Sequence, residues 1–182
     1  MTPRAQVVGP FPVGADPVEY DRRRRRVLWK MPTGLYLLGS RAGARRNLMT
    51  CSLAVQLATE PKLLGVAVES GSVTLGLVRE GRSFALSLLS RQDRALVRTF
   101  AKPAEHDASA RTLSGVAYLD APATGCPAPA SAVAVLDCRL ERVVELGSHA
   151  LLVGEVLDAV FGDEGEEAEV LRIEDTRMSY GG

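Results

Sequence analysis

The sequence has few of the residues that build metal sites or disulfide frameworks. Its 182 residues include only three cysteines and two histidines, and no two cysteines form a CxxC pair. The odd number and wide spacing of Cys51, Cys126 and Cys138 favour neither a set of disulfides nor a zinc site. We therefore expect three reduced thiols and no bound metal.

The chain also lacks an excess of charge and any long apolar run. Lysine plus arginine and aspartate plus glutamate each number 22, so no overall field favours nucleic acid or a membrane surface. No apolar segment approaches the roughly 20 residues that a membrane-spanning helix needs, and residues 1–8 lack the apolar stretch of a signal peptide. These absences predict a cytoplasmic protein without a membrane partner.

Several motifs of nucleotide binding and catalysis are missing as well. The sequence has no P-loop, no G-x-S-x-G and no G-x-G-x-x-G after a predicted strand. The glycine-containing segment 39–43 is too short and wrongly placed for a dinucleotide fingerprint. A nicotinamide cofactor, if the protein uses one, is therefore not expected on a classical dinucleotide-binding fold.

Short strand-like segments dominate what is present. Proline and glycine make residues 1–15 an irregular arm, residues 16–174 form one domain, and residues 175–182 are a polar tail. Strands are predicted at 35–39, 47–57, 63–68, 84–89, 132–146, 149–161 and 170–173, helices at 16–30, 72–81 and 93–100, and a loop with one helical turn at 102–115. Because strands and short helices do not alternate regularly, we expect a mainly β protein, an antiparallel barrel with helical additions.

The first predicted helix carries five consecutive arginines, Arg22–Arg26, and a basic run can bind nucleic acid. Five consecutive helical residues, however, point around more than a full turn and make no single basic face. The preceding Asp16, Glu19 and Asp21 can pair with some of them, and no interleaved aromatic residues suggest base stacking. We expect a solvated helix with a few salt bridges and no nucleic-acid partner.

A helix start rich in hydroxyl groups follows the strand at 63–68. Ser70, Ser72 and Thr74 surround Gly71, which lets the backbone turn sharply before the helix begins. Free backbone N–H groups and the helix dipole favour an anion at such a place, so the segment can seat a phosphate. The alternative interpretation is an ordinary helix cap by Ser72.

Two further groups of polar residues lie on predicted strands. Thr50 and Ser52 face the same side if 47–57 is one strand, either towards a ligand or simply towards solvent. His149 begins the last long strand, directly after the predicted tight turn Gly147–Ser148. A lone histidine on a strand is more often structural than catalytic.

Taken in order, the segments 47–52, 59–61, 69–74 and 147–156 resemble the flavin reductase-like family. Two positions depart from its pattern: Thr59 is displaced by one residue, and Ser148 stands where the family usually has aspartate. The resemblance implies a split β-barrel of antiparallel Greek-key type that binds FMN, with FAD as an alternative, and forms a homodimer. It implies that His149 lies near the nicotinamide. It also implies that the flavin is bound by Arg46, Asn47, Leu48, Met49, Thr50, Ser52, Thr59, Ser70, Ser72 and Thr74.

The implied reaction is hydride transfer from NADH or NADPH to the flavin, and the reduced flavin is expected to pass to a partner such as a flavin-dependent monooxygenase. Three alternatives stay open: a barrel of the same kind that uses deazaflavin F420, a flavin carrier or electron relay without turnover, and a regulatory or nucleic-acid-binding module built on the arginine run. The tail at 175–182 either frays or folds over the flavin or a partner subunit.

Overall fold

The computed structural model describes residues 9–163 and 165–176, and antiparallel β-structure predominates in them, as the sequence predicts. The three α-helices in these ranges are α1 (Pro17–Leu28), α2 (Val73–Gly81) and α3 (Arg94–Thr99). The strands are β1 (Tyr36–Ala42), β2 (Arg45–Cys51), β3 (Ala54–Thr59), β4 (Lys62–Glu69), β5 (Ser83–Leu88), β6 (His106–Asp107), β7 (Thr112–Leu113), β8 (Val116–Asp120), β9 (Pro127–Pro129), β10 (Ala134–Glu145) and β11 (His149–Phe161).

Local capping explains where the two longer helices begin and end. The Asp16 carboxylate accepts a hydrogen bond from Glu19 N (2.8 Å) at the start of α1, and Ser72 Oγ accepts one from Leu75 N (3.2 Å) at the start of α2. Helix α2 ends at Gly81, and Arg82 follows in the left-handed conformation. Asp93 occupies the N-cap position of α3, but its side chain makes no capping hydrogen bond there.

Seven strands form one sheet in the order β2-β1-β5-β10-β11-β4-β3, and every pair is antiparallel. Its two edge strands, β2 and β3, are joined in the chain by Ser52 and Leu53 alone. In a flat sheet of this size the edges would lie about 29 Å apart, whereas three peptide units reach about 11 Å at most. The sheet is therefore rolled until its two edges meet at this link.

The rolled sheet buries apolar side chains on both of its faces. On β5, Phe84 and Leu86 point into the main core, while Ala85 between them contributes to a smaller cluster on the opposite face. Leu38 and Leu37 of β1 divide in the same way between the main core and a second core. Central strands buried on both faces explain why these segments are nearly continuous apolar runs.

A second sheet, in the order β6-β7-β8-β9, covers part of the outer face. Tyr118 of β8 and Leu113 of β7 pack with Phe100, which follows α3, and with Leu48 of β2 in the second core. Strands β8 and β9 were not predicted from the sequence. Both are short, and β9 begins and ends with proline, so neither carries the alternating pattern by which a strand is predicted.

Three predicted segments differ in the structure. The single strand at 47–57 is two strands, because the chain crosses from one sheet edge to the other at the Ser52–Leu53 link. The helical turn predicted within 102–115 is absent: Asp107 Oδ1 accepts hydrogen bonds from Ser109 N (2.9 Å) and Ala110 N (3.0 Å), which fix a turn between β6 and β7.

The end of the chain is the third difference, since 170–173 is not a regular strand. It makes isolated bridges from Val170 to Ser90 and from Arg172 to Gly34, and a 3-10 turn follows at Ile173–Asp175. The Arg91 guanidinium bonds Asp175 (2.6 Å) and thereby lowers the pKa of that carboxyl group. The remainder of the predicted tail, 177–182, lies outside the described residues.

Helix α1 lies within its predicted range of 16–30, and several of its apolar residues are exposed. Val18, Val27 and Trp29 remain 62%, 65% and 43% exposed, and no residue of α1 belongs to the three apolar cores of the described residues. The predicted salt bridges are confirmed: Arg22 bonds Glu19, and both Arg24 and Arg25 bond Asp21. No helix of the described residues is long and apolar enough to cross a membrane.

Substitution of two glycines, one on β11 and one on α2, provides a test of the packing inside the rolled sheet. A Cβ added to Gly154 of β11 would lie 2.5 Å from Cζ of the fully buried Phe84, whereas one added to Gly76 of α2 would meet no atom within 4 Å. We expect Gly154→Ala to lower the free energy of unfolding by about 1–3 kcal/mol through overpacking. The matched variant Gly76→Ala should raise it by up to about 1 kcal/mol through helix propensity. Urea unfolding of both variants measures the difference, and equal stability would contradict this packing.

Candidate functional site

A cleft of about 570 Å³ lies where the ends of two strands meet the end of α3 and the β10–β11 turn. Four segments that are distant in sequence meet here because the rolled sheet brings the ends of β2 and β4 together. The lining residues are Met49, Thr50, Cys51, Ser52, Leu53, Ala67, Val68, Glu69, Phe100, Ala101, Ser148 and His149. Of the predicted site residues, Met49, Thr50, Ser52 and His149 are therefore in the cleft.

Thr50 uses its polar groups to hold the wall of the cleft. Its hydroxyl donates to Val97 O (2.8 Å), and its backbone N–H donates to Phe100 O (3.0 Å). Both bonds fix the end of α3 against β2. Ser52, the first residue of the link after β2, also lines the cleft.

Asn47 is buried outside the cleft, where it joins three parts of the chain. Its Nδ2 donates to Thr74 Oγ1 of α2 (2.9 Å), and its Oδ1 accepts from Ala104 N (2.8 Å) in the segment after α3. The side chain is only 3% exposed. Asn47 and Thr74 thus bond each other, and both stabilise the elements that surround the cleft.

The histidine of the cleft is positioned by a tight hairpin. Gly147 and Ser148 form the two-residue turn between β10 and β11, with Gly147 at a positive φ of 81°. Ser70 clamps this turn, since its hydroxyl donates to Gly147 O (3.0 Å) and its backbone N–H to Ser148 O (2.9 Å). Ser148 Oγ lies 3.0 Å from His149 Nδ1, so the turn also orients the imidazole.

The predicted phosphate seat has separate partners for its three hydroxyl groups. Ser70 bonds the hairpin, Ser72 caps α2, and Thr74 is buried against Asn47. These contacts agree with the alternative interpretation, in which Ser72 is an ordinary helix cap. Phosphate binding at the start of α2 stays a prediction.

The other predicted residues do not line the cleft. Arg46 reaches Asp120 (3.3 Å) and lies over the ring of Tyr118, on the side of the second sheet. Leu48 is buried in the second core, and Thr59 is exposed at the far end of β3. Their assignment to the flavin stays a prediction.

Sequence reasoning missed Cys51, Glu69 and Phe100 as cleft residues. Glu69 lies directly opposite His149 in the β4–β11 register, which no local pattern reveals. Burial raises the pKa of the Cys51 thiol to about 12, and burial together with Cys51 raises the pKa of the neighbouring Tyr36. Both groups are therefore neutral near pH 7, and the cleft holds no reactive thiolate at Cys51.

The cleft has two kinds of surface. Leu53, Val68 and Phe100 supply apolar walls, whereas Glu69 and His149 place a carboxylate and an imidazole at the hairpin end. Its volume lies in the usual range of small-molecule sites, and apolar walls with a few polar groups are typical of them. No metal-binding group of three or more His, Cys, Asp or Glu side chains occurs in residues 9–163 and 165–176.

Comparison with known proteins gives one consistent class. The family model of the flavin reductase-like domain matches residues 28–180. An NADPH-flavin oxidoreductase of Streptomyces viridifaciens is 35% identical over 87% of this chain and 80% of its own. The reductase component of 4-hydroxyphenylacetate 3-monooxygenase from Thermus thermophilus is 28% identical over 78% of this chain and 85% of its own.

Among solved structures, an NADH:FAD oxidoreductase of Streptomyces globisporus has a TM-score of 0.74 at 25% identity, over 95% of this chain and 98% of that one. A second structure of that enzyme, in complex with NAD and FAD fragments, gives the same TM-score and identity.

The two hydrogen bonds of Asn47 predict its contribution to stability. Asn47→Ala removes the acceptor of a buried backbone N–H and the donor to Thr74, so we expect a loss of about 1–3 kcal/mol in the free energy of unfolding. Thr74→Ser keeps the hydroxyl group and is the matched control, with a loss of about 1 kcal/mol for the methyl group. Urea unfolding checks both, and an Asn47→Ala variant as stable as the wild-type protein would show that these bonds contribute nothing.

Proposed function

The chain belongs to the flavin reductase-like family, and from this premise we propose how its cleft performs the reaction. The protein is an NAD(P)H-dependent flavin reductase: a hydride passes from NADH or NADPH to FMN or FAD. Two relatives, the reductase component of 4-hydroxyphenylacetate 3-monooxygenase and the flavin reductase component of a two-component tryptophan halogenase, support a partner enzyme such as an oxygenase as the recipient of the reduced flavin. The proposal rests mainly on the cleft, which has apolar walls and polar residues at the end formed by the β10–β11 hairpin.

The residues present fit a flavin. An isoalloxazine ring is planar and largely apolar, and it has hydrogen-bonding groups along one edge. Leu53, Val68 and Phe100 can cover its faces, and Ser52, in the same lining, can donate a hydrogen bond to its edge. The pKa of Cys51 at about 12 keeps that thiol uncharged beside the ring.

The predicted flavin residues divide into two proposed groups. Met49, Thr50 and Ser52 contact the flavin itself, because they line the cleft. Asn47, Ser70 and Thr74 act through other residues, since their polar groups bond the elements around the cleft. Arg46, Leu48, Thr59 and Ser72 lie outside it, and of these Arg46, Thr59 and Ser72 carry a donor suited to a phosphate.

We place the nicotinamide at the hairpin end, against His149 and Glu69. His149 and Glu69 lie opposite each other on the paired strands β11 and β4. The imidazole can donate or accept a hydrogen bond, and the carboxylate can accept one. The carboxamide and the ribose hydroxyl groups of the nicotinamide nucleotide carry donors that match these two side chains. Because Ser70 and Ser148 fix the turn, the polar groups are positioned before the ligand binds.

The chain's part in the reaction is to bind, orient and exclude water. Hydride acceptance is chemistry that the flavin supplies when bound. The apolar walls remove water from the ring faces, and the rigid hairpin holds the nicotinamide in one orientation, which lowers the entropic part of the barrier. The Ser52 N–H can stabilise negative charge that develops at the ring edge.

The finer architecture is also part of the proposal. The two-residue link between the sheet edges and the seven-strand order support a split β-barrel. Leu53, Val55 and Leu57 are 44–59% exposed beside the cleft, which supports a homodimer that covers them.

An anaerobic titration of the flavin-loaded protein with NADH and then NADPH tests the proposed function. We expect one of the two to bleach the flavin absorbance band at one equivalent and so to identify the donor. A protein that binds FMN or FAD but stays oxidised would favour deazaflavin F420 as donor, or a carrier without turnover. A protein that binds neither flavin would contradict the function and leave only the fold.

His149 gives a test of the nicotinamide position. His149→Ala removes one polar contact, so we expect KM for the preferred nicotinamide to rise about 3- to 10-fold, while the flavin Kd stays within about twofold. His106→Ala is the matched control, because His106 bonds Tyr118 (3.0 Å) outside the cleft. Steady-state kinetics and flavin titration check both variants. A raised flavin Kd with unchanged KM would place His149 at the flavin instead.

A further inference from the structure

The lining of the cleft does not by itself match the charge of the ligands proposed for it. No lysine or arginine is among the described residues that line it, and Glu69 contributes a carboxylate. FMN carries a phosphate group, NADH carries a pyrophosphate, and NADPH carries a further phosphate on its ribose. Because cations that face an anionic ligand favour its binding, we looked for them on the border of the cleft.

Two cations lie next to the lining in the chain, at the end of α3. Lys102 directly follows Ala101, and Arg98 precedes Phe100 by two positions. Ala101 N donates to Arg98 O (3.4 Å), so a turn prolongs the helix as far as the cleft. Residues three and four apart share one side of such a turn. Arg98 and Lys102 are therefore placed on the same side as the lining residue Ala101.

Both side chains are accessible to a ligand. Arg98 and Lys102 are exposed, and neither makes a salt bridge with any described residue. The acidic residues nearest to them in the sequence are Asp93 and Glu105, which are also outside every salt bridge of the described chain. No carboxylate within the described structure therefore neutralises this pair of cations by direct contact.

Other cations on the strands around the cleft are less suitable. Arg45 and Arg46 of β2 each make a salt bridge with a carboxylate outside the cleft. Lys62 lies at the end of β4 that is remote from the lining residues of that strand. Arg98 and Lys102 combine a position beside the lining with the lack of a salt bridge in the described chain.

We propose that Arg98 and Lys102 bind a phosphate group of the nicotinamide dinucleotide at the α3 border of the cleft. The inference rests on the proposed function and adds to it the residues that recognise the phosphate end of the hydride donor. Because the cleft of about 570 Å³ also holds the flavin ring, a donor whose nicotinamide lies against His149 extends with its phosphates to the border. A guanidinium binds phosphate oxygens in a bidentate manner, and an ammonium adds a point charge.

The phosphate of FMN has the same chemistry as the phosphates of the donor. Its predicted seat is the start of α2, at Ser70 and Ser72, so the cations of α3 are assigned to the donor. The alternative structural role of Arg98 is to interact with the dipole at the end of its own helix. An experiment has to separate the donor from the flavin and both from a contribution to stability.

The variant Arg98→Gln/Lys102→Gln removes both charges. At saturating flavin we expect KM for the preferred nicotinamide to rise about tenfold, because two exposed charge contacts are lost, while kcat and the Kd of FMN stay within about twofold. Added salt should raise KM of the wild-type protein more than that of the variant, since salt screens these contacts. Arg94→Gln is the matched control: Arg94 is also exposed, makes no salt bridge with a described residue and lies one helical turn farther from Ala101. It should change KM by less than about twofold.

A second measurement does not depend on turnover. ADP-ribose carries the pyrophosphate of the donor without its nicotinamide, and we expect calorimetry to show that the double variant binds it about tenfold more weakly than the wild-type protein does. The inference is overturned if the wild-type protein does not bind ADP-ribose or if the double variant keeps the wild-type KM. A raised Kd of FMN with unchanged KM would assign the two cations to the flavin phosphate and would also overturn it. Lower stability in urea with unchanged KM would leave Arg98 a structural role alone.

The two measurements also distinguish this inference from the proposed function. Flavin reduction by the wild-type protein with an unchanged KM in the double variant would refute the phosphate contact and leave the function standing. ADP-ribose binding that depends on Arg98 and Lys102, without any flavin reduction, would refute the function and leave the phosphate contact standing.

Discussion

The link of two residues between β2 and β3 is the constraint on which the rest of the structure depends. These strands are the opposite edges of a seven-stranded sheet, so a connection by Ser52 and Leu53 alone requires the sheet to roll. Rolling encloses the main core around Phe84 and brings the ends of β2 and β4 together. The cleft lies at this seam, and the residues of the link form part of its wall.

Hydrogen bonds then convert the seam into a fixed site. Thr50 bonds the end of α3 to β2, Asn47 joins β2 to α2 and to the segment after α3, and Ser70 clamps the hairpin that carries His149. In each case a polar side chain of the predicted site is bonded to the protein itself. A reductase of this family leaves the chemistry to the flavin, so rigid positioning is the main task of the chain.

Charge is distributed unevenly even though the chain is neutral overall. The cleft holds a neutral thiol at Cys51, and its charged group, Glu69, lies at the hairpin end beside His149. The arginines of α1 and the acidic residues after β11 are not among the residues that line the cleft. The equal numbers of acidic and basic residues, 22 each, therefore describe only the overall charge and not the local distribution of charge on the surface.

The sequence by itself determined the features that depend on neighbouring residues. Asp16 and Ser72 start their helices through side-chain caps, the Gly147–Ser148 turn makes the long hairpin, and ordered short motifs identify the family. Only the tertiary structure decided which polar residues meet. Glu69 lies opposite His149 because of the register between β4 and β11, and Asn47 bonds Thr74, which is 27 positions away in the sequence. Neither contact can be predicted from a local sequence pattern. The break at Ser52–Leu53 was also invisible, because a strand that changes sheet edge keeps the composition of one continuous strand.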